Sequence, residues 1–199
     1  MNFRRVAEIG GIVAGVLLIG FGIAVIVLAI NGRSTVNSSL EQEQIVGTPD
    51  MTPAAIKAEV EQAGLKNIDI PTCTVAGKAV NDGSSARCFA EYMRIHALLA
   101  TGGLTYSEMP RYATADGKGT NDSAKALKGP KGQPIDNPQR DVWITETGLS
   151  TALNVSYMAT QLALFSLVVG IALLLAGIGF IILAAFGTLR RPEPAAPAT

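Results

Sequence analysis

Between Ile9 and Ile30 the chain runs for 22 residues, IGGIVAGVLLIGFGIAVIVLAI, without a charge. As a helix rising about 1.5 Å per residue this is about 33 Å, enough to cross a hydrocarbon core of roughly 30 Å. A second uncharged run, MATQLALFSLVVGIALLLAGIGFIILAAFGTL, extends from Met158 to Leu189. Two membrane spans are therefore expected, at 9–30 and 157–189. The basic start MNFRR and the small residues near Ala29 imitate a secretory signal, but a signal's apolar region is normally about 7–15 residues, and this run exceeds it. The first run reads as a retained span.

Arginines at the tips set the expected orientation. Arg4 and Arg5 precede the first span and Arg190 and Arg191 follow the second, and basic residues close to a span end favour the cytoplasmic side. Residues 1–8 and 190–199 are expected in the cytoplasm and 31–156 outside, in the plasma membrane of the cell. That outer segment carries 12 Lys/Arg and 14 Asp/Glu, a near balance that gives no reason to expect nucleic acid.

Both cysteines and the only histidine lie in PTCTVAGKAVNDGSSARCFAEYMRIHALLATGG, residues 71–103. In an oxidising compartment Cys73 and Cys88 most simply pair as a disulfide, and closing a loop of that length is worth about 3 kcal/mol in the chain-entropy treatment. The enclosed loop, rich in Gly, Asn, Asp and Ser, has little apolar area of its own, so the bond is expected to fix it. A zinc site wants about four ligands, and Cys73, Cys88 and His96 supply three at unsuitable spacings. A catalytic Cys–His pair would need a thiolate kept reduced and a third group to orient the base. His96 shares a helical face with Phe89 and Met93 and reads as a structural or surface histidine. No metal and no cofactor is expected.

The outer segment divides into a polar stalk (31–47), a helical core with the disulfide (48–112), a loop rich in Gly, Pro and Lys (113–140) and a helix leading into the second span (141–156). In the core, DMTPAAIKAEVEQAGL predicts a helix capped by Thr52, with Pro53 in its first turn, Ile56 and Val60 on one face and Gly64 as its stop. NIDIP alternates Ile68 and Ile70 with polar residues, as a short extended piece does. A second helix is predicted from Ala86 to Ala100, capped by Ser84 or Ser85 and stopped at Gly102-Gly103. Tyr106, Met109 and Tyr112 follow as packing residues. The 113–140 loop has no periodicity, so it reads as disordered or as shaped by a partner. From Asp141 onward a helix with Val142, Leu149 and Leu153 on one face continues into the second span, and Gly148 is the expected place for any break.

Within the spans no ionisable residue occurs, although proton relays, ion paths and voltage sensors depend on them. Small residues do occur, at Gly11, Gly15 and Gly22 on the first span and at Ser166, Gly170 and Gly177 on the second. Rows of this kind let helix backbones approach closely in lipid. Neither a Walker loop nor a dinucleotide fingerprint is present, and the carboxylate pairs Glu41/Glu43 and Glu59/Glu61 read as solvated surface, since catalytic carboxylates need a pocket that shifts their pKa values.

The segments VGTPDMTPAAI, PTCTVAGKAV, ARCFAEYMRIHALLATGG and WITETGLSTALNVSYM resemble a family of small actinobacterial membrane proteins with two spans and one extracytoplasmic domain. The chain is also similar to the small accessory proteins of the actinobacterial cytochrome bcc–aa3 respiratory supercomplex. The resemblance implies a mainly α membrane protein, two transmembrane helices flanking a small, mostly helical extracytoplasmic domain with long loops. It implies a non-catalytic accessory role whose partners are larger integral membrane proteins and membrane lipids. An extracytoplasmic binding or sensing module for a cell-envelope component and an envelope enzyme are the alternatives.

Overall fold

The computed structural model describes residues 3–186, with side chains from Arg5 onward; Arg190, Arg191 and the rest of the C-terminal tip lie outside the described residues. Four helices follow in order: α1 (Phe3–Gln42), α2 (Pro53–Gln62), α3 (Gly83–Ala100) and α4 (Pro138–Phe186). Among the described residues the extended pieces make only isolated bridges and no named strand. The fold is thus mainly helical, with two helices long and apolar enough to cross a membrane. The described residues form two compact units, one made of 3–35 with 160–186 and the other of 36–159.

In the first unit α1 and α4 run antiparallel and meet along their small residues. Gly15, Gly22 and Ala29 are buried at seven-residue intervals, and so are Gly177 and Gly170 on the opposing helix. A Cβ added to Gly15 would lie 2.7 Å from the Gly177 carbonyl oxygen, and one added to Gly22 would lie 2.8 Å from that of Gly170. Farther along, Gly11 meets the Ala184 side chain at 3.1 Å, and Ser166 is half-buried. Backbones this close gain dispersion contacts that lipid tails cannot match. The outward faces remain apolar, with Phe21, Leu28, Leu162, Phe165, Leu175 and Phe186 among many exposed large side chains. Water would penalise such faces heavily and a bilayer would not, so the unit is that of a membrane protein.

The second unit has a compact core. Met51, Ile56, Val80 and Tyr92 are the most deeply enclosed side chains, joined by Val60, Val75, Ala86, Phe89 and Ile95. Leu40 of α1 and Leu153 of α4 belong to the same cluster, and Ala97, Leu98, Met109 and Trp143 form a second one beside it. α2 begins as expected: the Thr52 hydroxyl accepts the Ala55 N–H at 3.2 Å, Pro53 occupies the first turn, and Gly64 leaves the helix at φ +69°.

Several boundaries differ from expectation. The segment after Ile30, expected as a polar stalk, continues as helix to Gln42, and Val36 and Leu40 give it an apolar face to bury. α3 starts at Gly83, capped by Asp82 rather than by Ser84 or Ser85. The Asp82 carboxylate accepts the Ser85 N–H at 2.7 Å while the Ser85 hydroxyl accepts the Asp82 N–H at 3.1 Å, a reciprocal capping box. α4 starts at Pro138, where Asn137 Oδ1 accepts the Gln139 N–H, and it passes Gly148 as continuous helix. Val142 is 43% exposed, and Trp143, 8% exposed, takes the inward position.

The 113–140 loop folds on itself. Tyr112 and Thr120 exchange both backbone hydrogen bonds at 2.9 Å, Ala113 donates to Ile135, and Leu127 and Ile135 each donate onward within the same cluster. Asn121 Oδ1 accepts the Arg111 N–H, and Asn137 donates its amide to the Pro110 carbonyl. Ala126 is buried within it. Turn residues carry this segment, so the satisfied backbone replaces the missing apolar content.

Candidate functional site

Cys73 and Cys88 are joined as a disulfide, with Cα atoms 6.1 Å apart. The bond has help that its loop composition did not suggest. Val75 and Val80, inside the loop, are 2% and 1% exposed. Residues 45–47 lie along the loop, with Gly47 N–H donating to Lys78 O at 3.0 Å, Gly77 N–H to Gly47 O at 2.8 Å and Val80 N–H to Ile45 O at 2.9 Å. Gly47 is required there because a Cβ would stand 2.0 Å from the Val75 carbonyl oxygen. From α3 the buried Tyr92 hydroxyl donates to the Cys73 carbonyl at 2.7 Å. Burial, and then the negative charge of Glu91, push the Tyr92 phenol above its ordinary pKa. It stays a donor over the ordinary pH range.

With both thiols in one bond, the cysteines cannot join His96 as metal ligands or serve as nucleophile. His96 instead meets two carboxylates. Its Nε2 is buried and lies 2.6 Å from Asp50 Oδ2. Asp50 comes from the turn before α2, held by Thr52 N–H donating to Asp50 O at 2.7 Å. Glu59 comes from the middle of α2. One ligand atom from each of Asp50, Glu59 and His96 falls within 4.8 Å of the others, and all three residues are half-buried. The Thr48 hydroxyl, against a smaller opposing effect of burial, holds the Asp50 carboxyl below its ordinary value, and the His96 imidazole adds to this.

The carboxylate pairs separate accordingly. Glu41 and Glu43 are exposed as expected, and Glu61 is exposed and pairs with Lys57 at 3.8 Å. Glu59 departs from the solvated reading because α2 turns it toward His96. A further carboxylate, Glu146 on α4, is 3% exposed and accepts the Ser150 hydroxyl at 2.6 Å. Beside it, a cleft of about 370 Å³ includes Arg87 and Arg94, whose guanidinium groups stack over Tyr157 and Trp143 at 4.9 and 5.1 Å.

A second cleft, of about 600 Å³, lies between residues 67–72 and α3. Its walls mix Ile68, Ile70 and Leu98 with Asp69, Glu91 and Arg94.

No protein-family model, curated protein or solved structure matches the chain.

Proposed function

We propose that this protein is a non-catalytic accessory subunit of a larger membrane complex, and that the complex is an actinobacterial respiratory assembly. The observation that carries the reading is the glycine-faced helix pair. Its inner seam is used up by close α1–α4 contact, while the outer faces from Ile9 to Leu28 and from Leu162 to Phe186 offer apolar side chains to other helices or to lipid. Neither helix has an ionisable residue between Ile9 and Ile30 or between Met158 and Phe186, which argues for packing rather than transport. In this reading the pair lies in the plasma membrane with both tips cytoplasmic, and the disulfide-braced unit contacts its partner outside.

Solubilisation in mild detergent followed by mass spectrometry of co-purifying proteins tests the reading. Recovery with stoichiometric respiratory subunits supports it, and a lone monomer or homodimer sinks it. A second reading, a binding module for a cell-envelope component, is favoured by the cleft beside Ile68 and Ile70. It predicts that Arg94→Ala weakens ligand capture while leaving complex recovery intact.

A further inference from the structure

We propose that Asp50, Glu59 and His96 form a binding site for one divalent transition-metal ion of the zinc class, held by three protein atoms with water completing the shell. This goes beyond the accessory role and does not depend on it, since the three residues belong to one unit of the chain.

The geometry carries the assignment. Zinc binds imidazole nitrogen and carboxylate oxygen at about 2.0–2.2 Å, so tetrahedral neighbours stand roughly 3.3 Å apart. The three candidate atoms are already within 4.8 Å of one another. The His96–Asp50 separation of 2.6 Å is shorter than a coordinated pair would keep, and it widens when an ion enters. His96 Nε2 is buried against the Asp50 carboxylate, 2.6 Å away, so an imidazole nitrogen and a carboxylate oxygen already stand at one place. A metal between them would take the Nε2 lone pair and the carboxylate oxygen as two of its ligands.

Charge and ligand type narrow the ion. Two carboxylates neutralise a divalent cation and the imidazole binds as the neutral ring. Ca²⁺ and Mg²⁺ favour all-oxygen shells of about six or more ligands, whereas imidazole suits zinc and its first-row neighbours. The ligands come from the turn before α2, from α2 and from α3. Binding therefore ties three elements together.

The test uses the full chain in mild detergent, with its disulfide intact, any affinity tag removed and metal stripped by chelator. Co²⁺ titration is expected to give visible d–d absorption saturating at one ion per chain, abolished by added Zn²⁺, and Zn²⁺ is expected to raise the thermal midpoint. His96→Gln should weaken binding by about 100-fold or more, at least as much as loss of an outer-shell partner does. Glu59→Gln should also weaken it, and Glu61→Gln on the same helix should not. Circular dichroism shows whether each variant is folded, and should His96→Gln fail to fold, Glu59→Gln decides. Absence of saturable Co²⁺ uptake by the wild-type chain, unchanged uptake in folded Glu59→Gln, or a preference for Ca²⁺ over Zn²⁺ would each overturn the proposal.

Discussion

Gly15 and Gly177 approach so closely across the helix pair that a Cβ on either would stand 2.7 Å from the carbonyl oxygen of the other. The seam consequently has no room for a methyl group from either side. Gly15→Val or Gly177→Val should force the helices apart and destabilise their association by about 1–3 kcal/mol, the usual range for overpacking. Gly20 has open space around its Cβ position, so Gly20→Ala should leave association unchanged. Reversible unfolding of the pair in mixed micelles distinguishes the variants, and equal stability of Gly15→Val and wild type would refute the seam.

Removing the disulfide with Cys73→Ser and Cys88→Ser together should lower the stability of the 36–159 unit by about 3 kcal/mol, as expected for a loop of this length. Trp143 is the chain's one tryptophan and is buried in that unit, so its fluorescence during urea unfolding reads the change directly.

Gly47→Ala tests a single backbone contact. The added carbon cannot stay 2.0 Å from the Val75 carbonyl oxygen, so residues 45–47 must leave the Cys loop and break their hydrogen bonds to Lys78 and Val80. A loss of about 2 kcal/mol or more is expected, comparable with severe overpacking. Amide exchange at Gly77 and Val80 should accelerate in this variant and remain slow in Gly10→Ala.

Acid should weaken the unit through Asp50. Its folded-state carboxyl is held below the ordinary value of 3.8 by the Thr48 hydroxyl and by His96. Stability from this source is therefore fully present above the unfolded value and is lost as pH falls from about that point through the folded one. Asp50→Asn should flatten the acid limb of a stability-versus-pH curve, and Thr48→Ala, which lets the folded carboxyl rise toward its unfolded value, should shrink it. Identical acid limbs in all three proteins would remove Asp50 from the account.

Local signals were the ones readable in the chain. Thr52, Pro53 and Gly64 each act within a few residues of themselves, and α2 forms where they indicate. The same reasoning misplaced the start of α3, since Asp82 uses Ser85 where a capping box more often has Glu or Gln, and two serines competed for the cap. The 113–140 segment was opaque because its order comes from turns and backbone bonds, such as Ala113 to Ile135, that have no period. Each glycine row was visible on its own helix, but the facing of Gly15 with Gly177 is a tertiary register. The meeting of His96 with two carboxylates is tertiary in the same way: Asp50 and Glu59 are 46 and 37 positions away in the chain, and only the folding of α2 beside α3 brings them near it.

The antiparallel pairing of α1 with α4 also has an electrical meaning. Every peptide group adds a small dipole along its helix, and two helices pointing in opposite directions set their dipoles against each other. With no formal charge between Ile9 and Ile30 or between Met158 and Phe186, little remains on which a transmembrane potential can do work. The helix pair is electrically quiet: an applied field finds no formal charge along these stretches to pull on.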